Sequence, residues 1–101
     1  MTAQEAGVRA IVETGSVPRL APHMKLRFDK ARDTWTIQAP ERSFMLDPIA
    51  HQVVLRCDGV ATVGGVIEDL CRSFPDAPAD VIAADVAKMI QDLADKGVLA
   101  L

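Results

Sequence analysis

Cysteine and histidine are scarce in this chain, which has two of each: Cys57 and Cys71, His23 and His51. No CxxC or HxxxH spacing relates them, and no carboxylate stands beside them at a metal-ligand interval, so the pattern of a metal site is missing. Two cysteines are also too few for a secreted disulfide scaffold, and both read as small core hydrophobes. Long apolar runs are lacking as well. None approaches the roughly 20 residues of a membrane-spanning helix, and the N-terminus has no basic segment followed by an apolar block. The expectation is a soluble, cytoplasmic chain without a cofactor of its own.

Positive charge is not in excess. The formal net charge is −3 and the pI about 5.2, which works against a general nucleic-acid binder because phosphate binding needs a dense cationic surface. Reactive groups do not converge in sequence either. Ser16, Ser43 and Ser73 sit in no nucleophile elbow, and Gly64-Gly65 lacks the rest of a phosphate-cradling loop. Asp80, Asp85, Asp92 and Asp95 read as the solvated face of a helix. A catalyst is not expected.

What is present suits one domain, since half of the 101 residues are hydrophobic and can bury one modest core. Residues 1–17 carry a weak apolar stripe (Val8, Ile11, Val12) and run into Gly15, Ser16 and Pro18, the composition of a linker or a frayed helix. The domain is expected to span 18–101. From Met24 the pattern has period two: Met24, Leu26 and Phe28, then Trp35 and Ile37, alternate with polar residues across the turn Lys30 to Asp33. After Pro40-Glu41 a short third strand, Arg42 to Leu46, completes an antiparallel meander. So small a sheet must lie on helices.

The second half supplies them. Asp47 is a good N-cap and Pro48 fits a first helical position; Ile49, Val53 and Cys57 mark one face, and Asp58-Gly59 ends the helix. Thr62 caps a second helix with the stripe Val63, Val66, Ile67, Leu70, Cys71 and Phe74. A third runs from Pro78 to Lys96, with Ile82, Val86, Met89, Ile90 and Leu93 on one side and Gly97 closing it. The tail Val98 to Leu101 is apolar enough to pack on the core or add a strand. The class is α+β: a three-stranded antiparallel sheet followed by a three-helix bundle in the manner of a winged helix.

A three-stranded sheet has an open edge whose main-chain N–H and C=O groups accept another strand, so an extended peptide is the natural guest. If the last helix flanks the third strand, Val86, Met89, Ile90 and Leu93 line a pocket beneath it. A DNA-binding winged helix is the alternative, but Pro78–Lys96 carries four Asp against Lys88 and Lys96. Positive charge gathers instead on the first hairpin, where Lys25, Arg27, Lys30 and Arg32 outnumber Asp29 and Asp33. A third reading uses the same edge for dimerisation. Under the peptide reading, Met89→Asp and Ile90→Asp are expected to weaken capture without loss of helix. A proline at Phe44 abolishes pairing if the Phe44 N–H faces the guest.

Over 17–101 the sequence resembles the pyrroloquinoline quinone (PQQ) biosynthesis protein D family, PqqD. The resemblance is carried by Pro18-Arg19-Leu20, Leu26, Phe28, Trp35, Pro40-Glu41, Leu46, Cys57-Asp58-Gly59, Thr62-Val63, Leu70, Asp85-Val86 and Leu93 in that order. It implies a peptide-recognition element that binds the ribosomal precursor peptide PqqA. The element presents that peptide to a radical S-adenosylmethionine (radical SAM) enzyme, PqqE, which cross-links a Glu and a Tyr. It also implies a docking site beside the third strand and third helix, here Arg42, Ser43, Phe44, Met45, Leu46, Asp85, Val86, Met89, Ile90 and Leu93. Two departures stand out: Asp47, where relatives often carry Asn, and the Gly64-Gly65 pair at a helix start.

Overall fold

A computed structural model describes residues 11–101, so Val8 and the first part of the N-terminal segment lie outside the described residues. The chain forms β1 (Arg19–Leu20), β2 (Lys25–Asp29), β3 (Thr34–Gln38), β4 (Ser43–Met45), α1 (Pro48–Arg56), α2 (Val63–Ser73), α3 (Ala79–Asp95) and β5 (Leu99–Ala100). The meander and the three helices stand where the period-two and helical patterns put them.

The antiparallel sheet has the order β2-β3-β4, with Leu26 opposite Ile37, Ile37 opposite Phe44, and Phe28 opposite Trp35. The Leu26, Ile37 and Phe44 row packs on the core, and Phe28 stays exposed at the margin of the sheet. At the β2–β3 turn, Asp29 Oδ1 accepts from the Ala31 and Arg32 amides, an Asx turn that leaves Asp33 at φ 51°. Phe28 meets Trp35 edge-on at 5.4 Å, and Trp35 stacks on His51 of α1 at 4.6 Å, tying the sheet to the first helix.

The helix caps follow local chemistry. Asp47 Oδ1 accepts from the Ala50 amide at 2.7 Å and Thr62 Oγ1 from the Gly65 amide at 3.0 Å. Pro78 caps α3 without a side-chain bond. The helix α1 stops at Arg56, and Gly59, at φ 80°, serves the following turn rather than the helix end itself. Its amide bonds the Pro18 carbonyl, and a side chain there would meet Arg19. The core joins Ile37, Val53, Val63, Val66, Ile90 and Val98, each nearly or wholly inaccessible and each contributing about 1.5–3 kcal/mol of burial.

The tail and the described part of the N-terminal segment are both tied to the core elements. The tail β5 pairs antiparallel with β1, Leu20 opposite Leu99, and therefore leaves the three-stranded sheet alone. The described part of the N-terminal segment lies along α2 and α3. The Gly64 amide donates to the Thr14 carbonyl, the Val63 amide to Ser16, and the Val12 amide to Gln91 Oε1. A Cβ on Gly64 would stand 2.8 Å from Thr14 Cγ2, so a glycine here admits the passing strand of chain.

Candidate peptide-binding groove

Between β4, the start of α1 and the outer side of α3 lies an open groove of about 390 Å³. Leu46, Ala50 and Leu93 form its buried floor, while Met45 and Ile49, 64% and 61% exposed, and the half-buried Met89 rise around it. The Asp47-Pro48 turn sets this shape: it carries the chain from strand to helix within two residues. The turn is fixed on one side by the Asp47 cap and on the other by the Leu46 amide bonded to the Trp35 carbonyl at 2.9 Å.

Charge is distributed along the groove. Lys88 Nζ pairs with Asp92 at 3.3 Å, an exposed i,i+4 contact worth a few tenths of a kcal/mol. Asp85 stands towards the N-terminal end of α3 and Lys96 at the other. There Arg42 donates to the Lys96 carbonyl at 3.0 Å and lies 4.9 Å above the Phe44 ring, closing the strand onto the helix end.

Of the residues expected at the site, Met45, Leu46, Asp85, Met89 and Leu93 line the groove. Arg42 flanks its end, and Ser43 is exposed on the edge strand. Phe44 turns inward against the core. Ile90 is wholly buried, so it is part of the core and not of the groove wall. Val86 is also buried and borders a different cleft, between α1, α2 and α3. Sequence reading missed Ile49, Lys88, Asp92 and Lys96. Ile49 passed for a core residue, whereas the buried face of α1 is Ala50, Val53 and Val54. The other three lie at i+3, i+7 and i+11 from Asp85, a row that was visible beside Met89 and Leu93.

The backbone of β4 is polarised. In an antiparallel ladder, alternate residues turn both main-chain groups towards the partner strand. The Leu46 amide bonds Trp35 and the Ala39 amide bonds the Arg42 carbonyl, so Arg42, Phe44 and Leu46 face β3. Ser43 and Met45 consequently turn their N–H and C=O groups outward, to the side where β4 has no neighbouring strand among the described residues. The Phe44 N–H is directed into the sheet, contrary to the condition attached to a proline there.

The titratable groups that are shifted lie elsewhere. Burial, and then the nearby Asp58, push the Cys57 thiol up to about 12, and its S–H donates to the Val53 carbonyl. Asp69 is lowered chiefly by its hydrogen bond from Arg56. Among the described residues there is no cluster of three potential metal ligands, and no helix is long and apolar enough to cross a membrane.

Fold and groove together define a class: a small winged-helix-like α+β module whose edge strand, unpaired on its outer side among the described residues, runs beside an apolar helical wall. The family model for coenzyme PQQ synthesis protein D (PqqD) matches residues 34–99, and the chain belongs to this family. Among similar proteins, the PqqA binding protein of Bradyrhizobium diazoefficiens is 45% identical over 95 residues, 93% of this chain and 91% of that one. The PqqA binding protein of Gluconobacter oxydans is 37% identical, covering 88% and 92%. The solution structure of the PqqD truncation of Methylobacterium extorquens PqqCD, described as a stand-alone recognition element for ribosomally synthesised, modified peptides, superposes with TM-score 0.75. It is 38% identical, with coverage of 89% and 95%. The crystal structure of PqqD from Xanthomonas campestris gives TM-score 0.56 at 37% identity, covering 89% and 99%.

Proposed function

We propose that this chain binds the ribosomal precursor peptide of PQQ, PqqA, as an added strand on β4 with side chains in the adjoining groove. It then presents that peptide to the radical SAM enzyme of the pathway, PqqE. The protein works as a cytoplasmic carrier, and the cross-linking of a Glu and a Tyr of the peptide falls to the enzyme. One observation carries the reading: the outward main-chain groups of Ser43 and Met45 run beside Met45, Ile49, Met89 and Leu93. Main-chain bonds would hold an extended guest, and the groove would select its side chains. Family membership and the names of the relatives support the identity of the guest.

Fluorescence anisotropy with labelled precursor peptide tests this. Saturable binding that varies little with salt and is not displaced by duplex DNA is expected. A complex that DNA displaces, with affinity falling steeply between about 50 and 200 mM salt, would favour phosphate recognition instead.

A further inference from the structure

The groove does not end at α1. Ile49 and Asp85 line it and also line a second cleft of about 200 Å³, whose other walls include Leu70, Phe74, Val81 and Val86. Phe74, Val81 and Ile49 are 48%, 49% and 61% exposed, so three large apolar side chains stand open around one depression. The surface of the depression is almost wholly apolar, which suits an apolar guest. The cleft is smaller than the roughly 300 Å³ at which pockets for drug-sized ligands begin. It has room for one large side chain and not for a helix. At its junction with the groove, Asp85 is exposed and makes no hydrogen bond or ion pair among the described residues, while the nearby Lys88 is engaged by Asp92.

We propose that this cleft seats one large apolar side chain of the same precursor peptide, beyond the segment that pairs with β4, with a basic peptide residue opposite Asp85. The inference rests on the groove reading and extends it. A chain leaving the groove passes between Ile49, which offers an apolar surface, and Asp85, whose carboxylate favours a cation there. The guest therefore has two anchored parts, an extended stretch and an apolar anchor, separated by a short basic step.

The test uses the full chain, labelled precursor peptide and a series of peptides shortened residue by residue from each end. Val81→Glu keeps the fold because its site is exposed and in the first turn of α3, where an acidic residue is favourable; circular dichroism checks this. Tenfold or greater loss of affinity for the full-length peptide is expected, with no change for peptides trimmed past the anchor. Asp85→Lys should weaken binding several-fold and be rescued by replacing the peptide's basic residue with Glu. Unchanged affinity of Val81→Glu for the full-length peptide, alongside weakened binding by Met89→Asp, would overturn the cleft and leave the groove standing. A wild-type dimer made monomeric by Val81→Glu without loss of peptide would assign the cleft to a second copy and also overturn it. Failure of the wild-type chain to bind the full-length peptide would remove both readings.

Discussion

The Leu46 amide donates to the Trp35 carbonyl at 2.9 Å, and that bond fixes the phase of the whole edge strand. Counting back by twos, Phe44 and Arg42 face into the sheet, while Met45 and Ser43 face out. The same contact joins the stack of Trp35 on His51 to the turn at Asp47, so the free edge and the groove are held in register by one small cluster.

Met45→Pro removes an outward N–H and spares the β3–β4 ladder, since proline is tolerated where the N–H points away from the sheet. Relative to Met45→Ala, it should weaken peptide binding by the worth of about one main-chain hydrogen bond, roughly 1 kcal/mol or about fivefold, at similar thermal stability. Phe44→Pro should behave differently. It breaks an internal ladder bond, so calorimetry should show a lower melting temperature before any effect on the peptide is considered.

Met89→Asp and Ile90→Asp separate the groove from the core. Met89 is half-buried in the groove wall, so its variant should fold with native helix content and bind peptide at least tenfold more weakly by anisotropy. Ile90 is wholly inaccessible, and a carboxylate there faces a desolvation cost of several kcal/mol, enough to unfold a small domain. A folded Ile90→Asp protein would mean that α3 is rotated from the position described.

The acid limb of stability should depend on Asp69. Its carboxyl is held below the ordinary 3.8 by the Arg56 guanidinium, a contact that joins α1 to α2. A folded-state value below the unfolded one stabilises at neutral pH and is lost as pH falls through the lowered value. Asp69→Asn should therefore melt below the wild type at pH 7, and the gap should close below the ordinary carboxylate range. Thermal melts across pH 2–7 measure this, and a gap that is constant with pH would assign the effect to packing.

Cys57 should be inert to thiol reagents in the native protein. Burial raises its thiol to about 12, and its S–H is bonded to the Val53 carbonyl, so almost no thiolate exists at neutral pH. Modification of Cys57, followed by mass spectrometry, should proceed at the rate of global unfolding and accelerate with urea. Rapid labelling of Cys57 without denaturant would contradict the packing of α1.

Much of this was legible in the sequence because the signals are local. Asp47-Pro48 and Thr62 announce helix starts by their own chemistry, and the alternation through Leu26, Phe28, Trp35 and Ile37 needs only its neighbours to read as a sheet face. What escaped depends on contacts distant in sequence. The apolar tail does add a strand, as expected, but its partner Arg19–Leu20 lies about eighty residues away and carries no strand-length pattern. Gly64 looked like a weak helix start until Thr14 is seen passing 2.8 Å from where its Cβ would be. On α3, periodicity placed Val86, Met89 and Ile90 on one apolar face, but a stripe that wide is divided among core, cleft and groove. Only the positions of β4 and α1 decide which residue meets which.

Amide hydrogen exchange of β4, read residue by residue by NMR with and without precursor peptide, shows whether the guest pairs with the outer side of this strand. The Ser43 and Met45 amides should exchange freely in the unbound protein and slow markedly in the complex, with Phe44 already protected in both. Peptide binding that leaves the Ser43 and Met45 exchange rates unchanged would contradict that pairing.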